Sequence, residues 1–363
     1  VHSAHSASPV SAGEVSLINI NPADVRRILV CQLRQIGDVL LATASISLLK
    51  RRFPDAEIHV LTEKKCLPML ENNPDVGKVW AIDKGRLNTL FKELAFYWTV
   101  ARQGYDIVVD FQQLPRCRWV VGLSAAPVRL SYTPEWYNRW LFTHTVKPLD
   151  GYSAMAKASV LRPLGIEWNS EPPRLYLTDA ERRFAADYLA RYGVTEEHRV
   201  ITVDPTHRRA TRRWPARYYA ALIAKAAEAH PDLRFLLLYG PGELEDARAV
   251  LEACPRPEAV ILPDEIISLR EMAACIERAV LHIGNCSSPR HIAVALGVPS
   301  FIVLGATSPA WTFPAPEHTQ VSLGMDCQPC NRNSCEKGYA CLEGLSPDVV
   351  WEAMQEHMVR CGL

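Results

Sequence analysis

The segment RRILVCQLRQIGDVLLATASISLL, Arg26 to Leu49, holds two hydrophobic patterns joined by a turn. Ile28 to Leu33 is a compact apolar run, too short for a helix and rich in branched residues, as a buried strand is. Val39, Leu40, Ala42, Ile46 and Leu49 then return at helical spacing, so the turn Gln35-Ile36-Gly37-Asp38 ends at a helix N-terminus. A buried strand, a tight glycine turn and a helix make the first half of a βαβ unit. Ligands of such sheets bind beside the carboxyl ends of the strands, and Asp38 falls at one of them. Two readings of Asp38 stand side by side: a carboxylate that caps its helix, and one that faces a ligand.

The same alternation continues along the chain. Glu57 to Leu61, Lys78 to Ile82, Tyr105 to Phe111 and Pro127 to Tyr132 read as further strands, with an amphipathic helix over Leu87 to Val100. After an aromatic region from Tyr132 to Trp168, the polar, proline-rich NSEPPR (Asn169 to Arg174) reads as a linker. The second half repeats the pattern. Strands are expected at Val200 to Val203, Phe235 to Tyr239, Ala259 to Leu262, Ala279 to Ile283 and Ser300 to Leu304, and helices at Pro215 to His230 and Leu244 to Ala253. Ser346-Pro347-Asp348 begins a last helix, with serine as cap and proline at the first helical position. The domain expectation is a disordered leader over 1–24, a first domain over 25–168, the linker at 169–174, a second domain over 175–345 and a closing helix over 346–363. Two such α/β halves would leave a cleft between them, with strand ends on both sides, and such clefts bind ligands.

Bulk properties narrow the function. At 363 residues the chain exceeds one ordinary core, so two domains are the natural division. Forty basic residues balance forty acidic ones, and no global field draws the chain to nucleic acid. No apolar run approaches the ~20 residues that span a bilayer. The opening VHSAHSASPVSAGEV lacks the charged start and apolar centre of a signal peptide, which leads to an expected cytoplasmic location. Eleven cysteines, an odd number, argue against a disulfide framework in such a chain.

Three loops of the second half fall at strand ends. Asp204 to Pro215, DPTHRRATRRWP, carries Thr206, His207 and the arginines Arg208, Arg209, Arg212 and Arg213. Gly240-Pro241-Gly242-Glu243 is the second, and GNCSSPRH, Gly284 to His291, the third; it runs into a helix over Ile292 to Leu296. Serines at a helix N-terminus, among exposed N–H groups, make an anion site. Arginines opposite would grip a diphosphate in bidentate fashion. Singly, the arginines are equally a solvated basic turn and the serines plain caps. Together the loops point to a phosphorylated ligand.

Four segments carry a resemblance to a known family. ILVCQLRQIGDVLLATASISLLKRRFPDAEIHVLT, RRWPARYYAALI, GPGELEDA and above all GNCSSPRHIAVALGVPSFIVLGATSP resemble blocks of the family-9 glycosyltransferases, the bacterial ADP-heptose heptosyltransferases of lipopolysaccharide inner-core synthesis. The likeness runs from about Arg27 to Glu356. It implies an α/β fold of GT-B type: two facing Rossmann-like, doubly wound domains, the first for the acceptor and the second for the nucleotide sugar. It implies inverting transfer of a heptose from ADP-heptose to a hydroxyl of an inner-core acceptor, with no metal in the chemistry. By the same resemblance Asp38 matches the general base, and Arg212 falls where many members have a lysine on the donor diphosphate. Glu243 matches the residue at the donor's nucleoside end, and Ser287, Ser288 and His291 fall in the phosphate and sugar block. Gly37, Thr206, His207 and Gly240 complete the expected donor set. Cys286 departs from the family, which usually has aspartate there; an anionic acceptor for sugar hydroxyls becomes a weak donor.

Arg34, Arg116 and Arg118 lie near strand exits of the first half, suited to an acidic glycan or lipid acceptor, with surface solubility as the plainer reading. Such an acceptor would bring the protein into peripheral contact with the inner face of the inner membrane. Cys327, Cys330, Cys335 and Cys341 are spaced so that four thiolates could enclose a tetrahedral zinc or iron ion of structural role; two disulfides or four free thiols are the alternatives. Two rival functions remain: transfer of another sugar or onto a protein, and a non-catalytic nucleotide-binding module. A base at Asp38 argues against the second, since binding alone needs none.

Overall fold

The computed structural model describes residues 16–363, which fall into two units meeting in sequence at Tyr176 and Leu177. In the first, β1 (Arg27–Cys31), β2 (Glu57–Glu63), β3 (Lys78–Ile82), β4 (Ile107–Asp110), β5 (Val128–Tyr132) and β6 (His144–Val146) form a sheet in the order β3-β2-β1-β4-β5-β6. In the second, β7 (Arg199–Asp204), β8 (Leu233–Leu237), β9 (Val260–Ile261), β10 (Leu281–Gly284), β11 (Ser300–Val303) and β12 (His318–Val321) take the order β12-β11-β10-β7-β8-β9. Every pair is parallel. Counted from its own first strand, each sheet has the order 3-2-1-4-5-6, so the second unit repeats the first. Growth of the sheet reverses between β1 and β4, and again between β7 and β10. Open parallel sheets bind ligands outside the strand ends at that reversal.

Central parallel strands are buried on both faces, which is why Ile28 to Cys31 reads as an unbroken apolar run. In the first unit the helices are α1 (Ile36–Arg52), α2 (Leu90–Ala101), α3 (Pro115–Ser124) and α4 (Ser153–Ala158). Every residue of α1 from Val39 to Leu49 is buried, because α4 packs on it as well as the sheet. The second unit holds α5 (Asp179–Arg191), α6 (Ala216–Ala229), α7 (Leu244–Ala253), α8 (Leu269–Arg278), α9 (Ser288–Ala295), α10 (Ala340–Glu343) and α11 (Pro347–Arg360). Its core joins Trp214, Tyr219 and Phe235 to Val350, Met354 and Met358, so the closing helix is part of this unit.

Several expectations change. The helix expected from Leu87 begins at Leu90, because Thr89 Oγ1 accepts the Lys92 N–H at 3.3 Å and caps it there. The leader expected over 1–24 is ordered in its described part: Ile18 N donates to Pro163 O at 2.8 Å, and Pro22–Asp24 forms a 3-10 turn. The rest of that leader lies outside the described residues. The segment expected as a linker is tied to the first unit: buried Glu171 pairs with Arg51, and Arg174 N donates to Thr43 Oγ1 at 2.8 Å. α3, α5 and α8 are further helices that the sequence pattern did not mark, and α4, α10, β6 and β12 are too short to show a period.

Candidate functional site

Asp38 is the third residue of α1, just past the carboxyl end of β1. Its Oδ2 accepts the Gln35 N–H at 3.3 Å, so it does help to cap the helix. Its Oδ1 lies 3.1 Å from Lys157 Nζ on α4, which also donates to Gln32 Oε1 at 3.0 Å. The lysine side chain is 9% exposed and the aspartate 23%, so the cation is held inside while the carboxylate reaches solvent. Gln112, after β4, fixes the turn from the other side of the reversal: its Oε1 accepts Leu33 N at 3.0 Å and Arg34 N at 3.2 Å. Gln112 is in turn positioned by buried Asp110, whose Oδ1 accepts the N–H groups of Gln112 and Gln113 at 2.9 Å each. Burial pushes the Asp110 carboxyl up to about 6, against those hydrogen bonds. Tyr132 is also pushed up, by burial and then by the Asp38 charge.

Beside this turn a cavity of about 370 Å³ opens, with Arg34, Arg116 and Glu63 among its polar lining and Leu90, Leu94 and Trp119 on its apolar wall. Arg116 spends its charge on Glu93 at 2.9 Å. Glu63 stays below the usual carboxylate range; burial opposes its charge, but Lys84 and Lys65 outweigh it. Arg34 is exposed and in no ion pair among the described residues, which makes it the cation of this mouth. Arg118 does not line the cavity; its Nε is buried without a partner, and its charge acts on Asp110.

In the second unit the three loops follow β7, β8 and β10, which are neighbours in the order β10-β7-β8, and so their ends meet. Thr206 Oγ1 donates to Glu243 Oε2 at 2.8 Å, and Gly240 N donates to the same oxygen at 3.0 Å. Ser287, the cap residue of α9, bonds through Oγ to Asp204 Oδ2, while Ser288 is the first residue of that helix. Gly284 allows this approach: a Cβ there would stand 2.9 Å from Asp204 Cβ and O. Burial, and then the neighbouring Glu243 charge, push the Asp204 carboxyl up to about 7, although Ser287 and Thr206 bond it. Asn285 pins the arginine loop, accepting Trp214 N at 3.0 Å. Arg212 is part-buried and in no ion pair among the described residues, and its Nε is buried without a partner. Burial and then Arg209 hold its guanidinium below the ordinary value, and burial with Arg212 lowers His207 to about 4. An unpaired guanidinium beside a helix N-terminus suits an anion. Of the residues expected on the donor, Gly37 alone sits elsewhere, in α1 next to Asp38.

Cys286 is 9% exposed and packs against Ile302, Leu304 and Trp311. Arg290 Nη1 donates to its Sγ at 3.1 Å, and Arg290 itself is 2% exposed. His291 is buried with its ring 5.9 Å from that of Trp311.

The metal expected at the cysteine quartet finds no support in the fold. Among the described residues no group of three or more His, Cys, Asp or Glu side chains is placed to hold a metal ion. The four thiols are neighbours, since Cys335, Cys327 and Cys330 help burial to raise Cys341. The segment that carries them is tied to the loops beside it. Gln328 Nε2 donates to Gly305 O at 2.8 Å, Asn331 N to Ala306 O at 2.8 Å, and Thr211 Oγ1 to Arg332 O at 2.9 Å. Gly305 packs so tightly on Thr211 O that a Cβ would collide with it. These bonds brace the loop that carries Arg212.

Sequence reasoning missed Lys157, Gln112, Asp204 and Arg290. A lysine among Ala154, Ala156 and Ala158 was a signal for Lys157, and an aspartate closing the apolar run VITVD was one for Asp204. No local pattern marks Gln112.

A profile described as glycosyltransferase family 9 (heptosyltransferase) matches residues 94–340. Lipopolysaccharide heptosyltransferase 3 of Escherichia coli is 28% identical over 281 residues, 75% of this chain and 81% of that protein. Lipopolysaccharide heptosyltransferase 1 of Pseudomonas aeruginosa is 26% identical over 330 residues, 85% of this chain and 87% of its own. In structure, a family-9 glycosyl transferase from Veillonella parvula is similar at a TM-score of 0.81 and 22% identity, over 95% of this chain and 99% of the other. The ADP-heptose lipopolysaccharide heptosyltransferase II of Escherichia coli is similar at 0.71 and 18%, over 93% and 100%. The likeness to these two structures is one of fold.

Proposed function

The chain belongs to glycosyltransferase family 9, the heptosyltransferases, and from that membership we propose that it transfers a heptose from ADP-heptose to a sugar hydroxyl of a lipopolysaccharide inner-core acceptor, with inversion. Asp38 is the general base. As the acceptor oxygen attacks the anomeric carbon, its proton passes to the Asp38 carboxylate, the bond from that carbon to the phosphate oxygen breaks, and ADP departs with the electron pair. Lys157 and the Gln35 N–H hold the carboxylate in one orientation, so little reorganisation precedes proton transfer. Arg212, Ser287, Ser288 and the first N–H groups of α9 meet the charge that grows on the diphosphate. Glu243 and Thr206 take the nucleoside end, and His291 the sugar side. Arg34 receives acidic groups of the acceptor. The protein would work at the inner face of the inner membrane.

The observation that carries this reading is a carboxylate pinned by a buried lysine at the reversal point of a parallel sheet. A binding module has no use for that arrangement. The test is release of ADP from ADP-heptose, with and without a core oligosaccharide acceptor. Acceptor-dependent release with formation of the anomer opposite to that of the donor supports it; binding of ADP-heptose without any turnover, on every core acceptor tried, would sink it.

A further inference from the structure

The first unit carries an apolar face that neither its core nor the proposed reaction uses. α2 presents Leu90, Phe91 and Trp98 to solvent, α3 presents Trp119, and the 3-10 turn Trp136–Leu141 presents Trp136 and Trp140. Phe91 is 81% exposed, Trp136 79% and Trp140 72%. These side chains sit on adjoining elements. Leu90, Leu94 and Trp119 share one wall of the cavity beside Arg34, and α2 packs on α3. Three residues beyond Trp119, a Cβ on Gly122 would stand 4.0 Å from Trp140 Cη2. Single exposed apolar residues are ordinary, but adjoining ones mark an interaction surface.

The charge on this face decides what it fits. α2, α3 and the 3-10 turn hold the exposed cations Lys92 and Arg139, with Arg116 already paired with Glu93 and Arg118 turned toward Asp110; Glu135, at the N-cap position of the turn, is the one further carboxylate on these elements. Lys92 bonds the neutral Asn88 side chain at 3.0 Å, and Arg102, next after α2, lies 4.3 Å over the Trp98 ring. Neither is in an ion pair among the described residues. Exposed indoles flanked by uncompensated cations are the chemistry of a membrane interface: the rings lodge at headgroup depth and the cations meet anionic lipid. No helix among the described residues is long and apolar enough to cross a membrane, so contact by these elements would be superficial.

We propose that this face docks the protein on an anionic bilayer, which brings the mouth of the cavity to the lipid surface. Entry of a lipid-anchored acceptor by that route rests on the acceptor reading given above; the docking itself does not. The full chain is floated with vesicles of phosphatidylethanolamine and phosphatidylglycerol, and separately with phosphatidylcholine alone. Binding to the anionic vesicles is expected, weakened by high salt as screening requires. The triple variant Phe91→Ser, Trp136→Ser, Trp140→Ser should lose it by at least about tenfold. None of the three lines the cavity, so transfer to a soluble, delipidated acceptor should be unchanged. The proposal is overturned if the wild-type chain ignores anionic vesicles, or if the variant binds them equally. Self-association abolished by the variant, without vesicle binding, would overturn it in favour of an interface between copies. Absence of transfer to the soluble acceptor would count against the acceptor reading and leave the vesicle result standing.

Discussion

Lys157 Nζ lies 3.1 Å from Asp38 Oδ1, and the lysine, itself 7% exposed, has the neutral Gln32 amide oxygen as its other partner. Truncating the carboxylate therefore tests two things at once. Asp38→Ala leaves a buried cation without its counter-charge, and should lose about 1–3 kcal/mol of stability besides activity. Asp38→Asn keeps an oxygen for the lysine. It should melt near the wild-type temperature while turnover falls by roughly 10² or more. A stability loss in Asp38→Asn as large as its activity loss would leave Asp38 a helix cap and nothing further.

Lys157→Met removes the cation that orients the carboxylate and fills its place with apolar volume. The expected result is a lower kcat with donor Kd unchanged, because Lys157 belongs to the unit that does not hold the arginine loop. Calorimetric titration with ADP beside steady-state kinetics separates the two quantities. A weaker donor affinity at unchanged kcat would contradict the positioning role.

Arg212 has no carboxylate partner among the described residues and an orphaned Nε. Arg212→Ala should weaken ADP-sugar binding by about 1.5–3 kcal/mol, the range of a hydrogen bond to a charged group. Arg212→Lys should recover much of that. Equal affinity in all three proteins would reject the contact.

Cys286→Asp would ordinarily bury a carboxylate at great cost. Here Arg290 Nη1 already points at the Sγ from 3.1 Å, so the new carboxylate gains a buried partner. The melting temperature should change little. In an Arg290→Met background the same substitution should cost about 3–5 kcal/mol, as for any broken buried pair. A double-mutant cycle on thermal stability reads the coupling, and a coupling near zero would show that the guanidinium does not reach residue 286.

Asp204 gives a pH dependence of unusual sign. Its carboxyl is raised to about 7 from the usual 3.8, so between those values the folded protein holds a proton that the unfolded chain has lost. Its contribution is full below about pH 4 and is lost as pH rises through about 7, on the order of a few kcal/mol. Asp110, raised to about 6, acts in the same direction, while His282, lowered to about 3, and His207, lowered to about 4, act in the opposite one. The difference between wild type and Asp204→Asn isolates the one group. The variant should lose less stability between pH 5 and pH 8; parallel curves would show that Asp204 is not protonated in the fold.

The alternation of short apolar runs with helical spacing determined, from the sequence alone, a parallel α/β architecture in two similar halves. It also located Asp38 after the first strand and the three phosphate-suited loops at strand ends. Those features are local, because burial on both faces of a strand and on one face of a helix imprints a period on consecutive residues. Partners brought together from afar leave no such imprint. Lys157 reaches Asp38 across 119 positions because α4 packs on α1, and Ser287 reaches Asp204 across 83 because β10 lies beside β7. The cysteine quartet shows the converse. Its spacing suited a metal, while in the fold Gln328 and Asn331 donate to the carbonyls of Gly305 and Ala306 and Thr211 donates to that of Arg332, so that the segment braces the neighbouring loops. Spacing sets which groups can meet; the packing of the elements that carry them, and the backbone groups each must satisfy, decide which ones do.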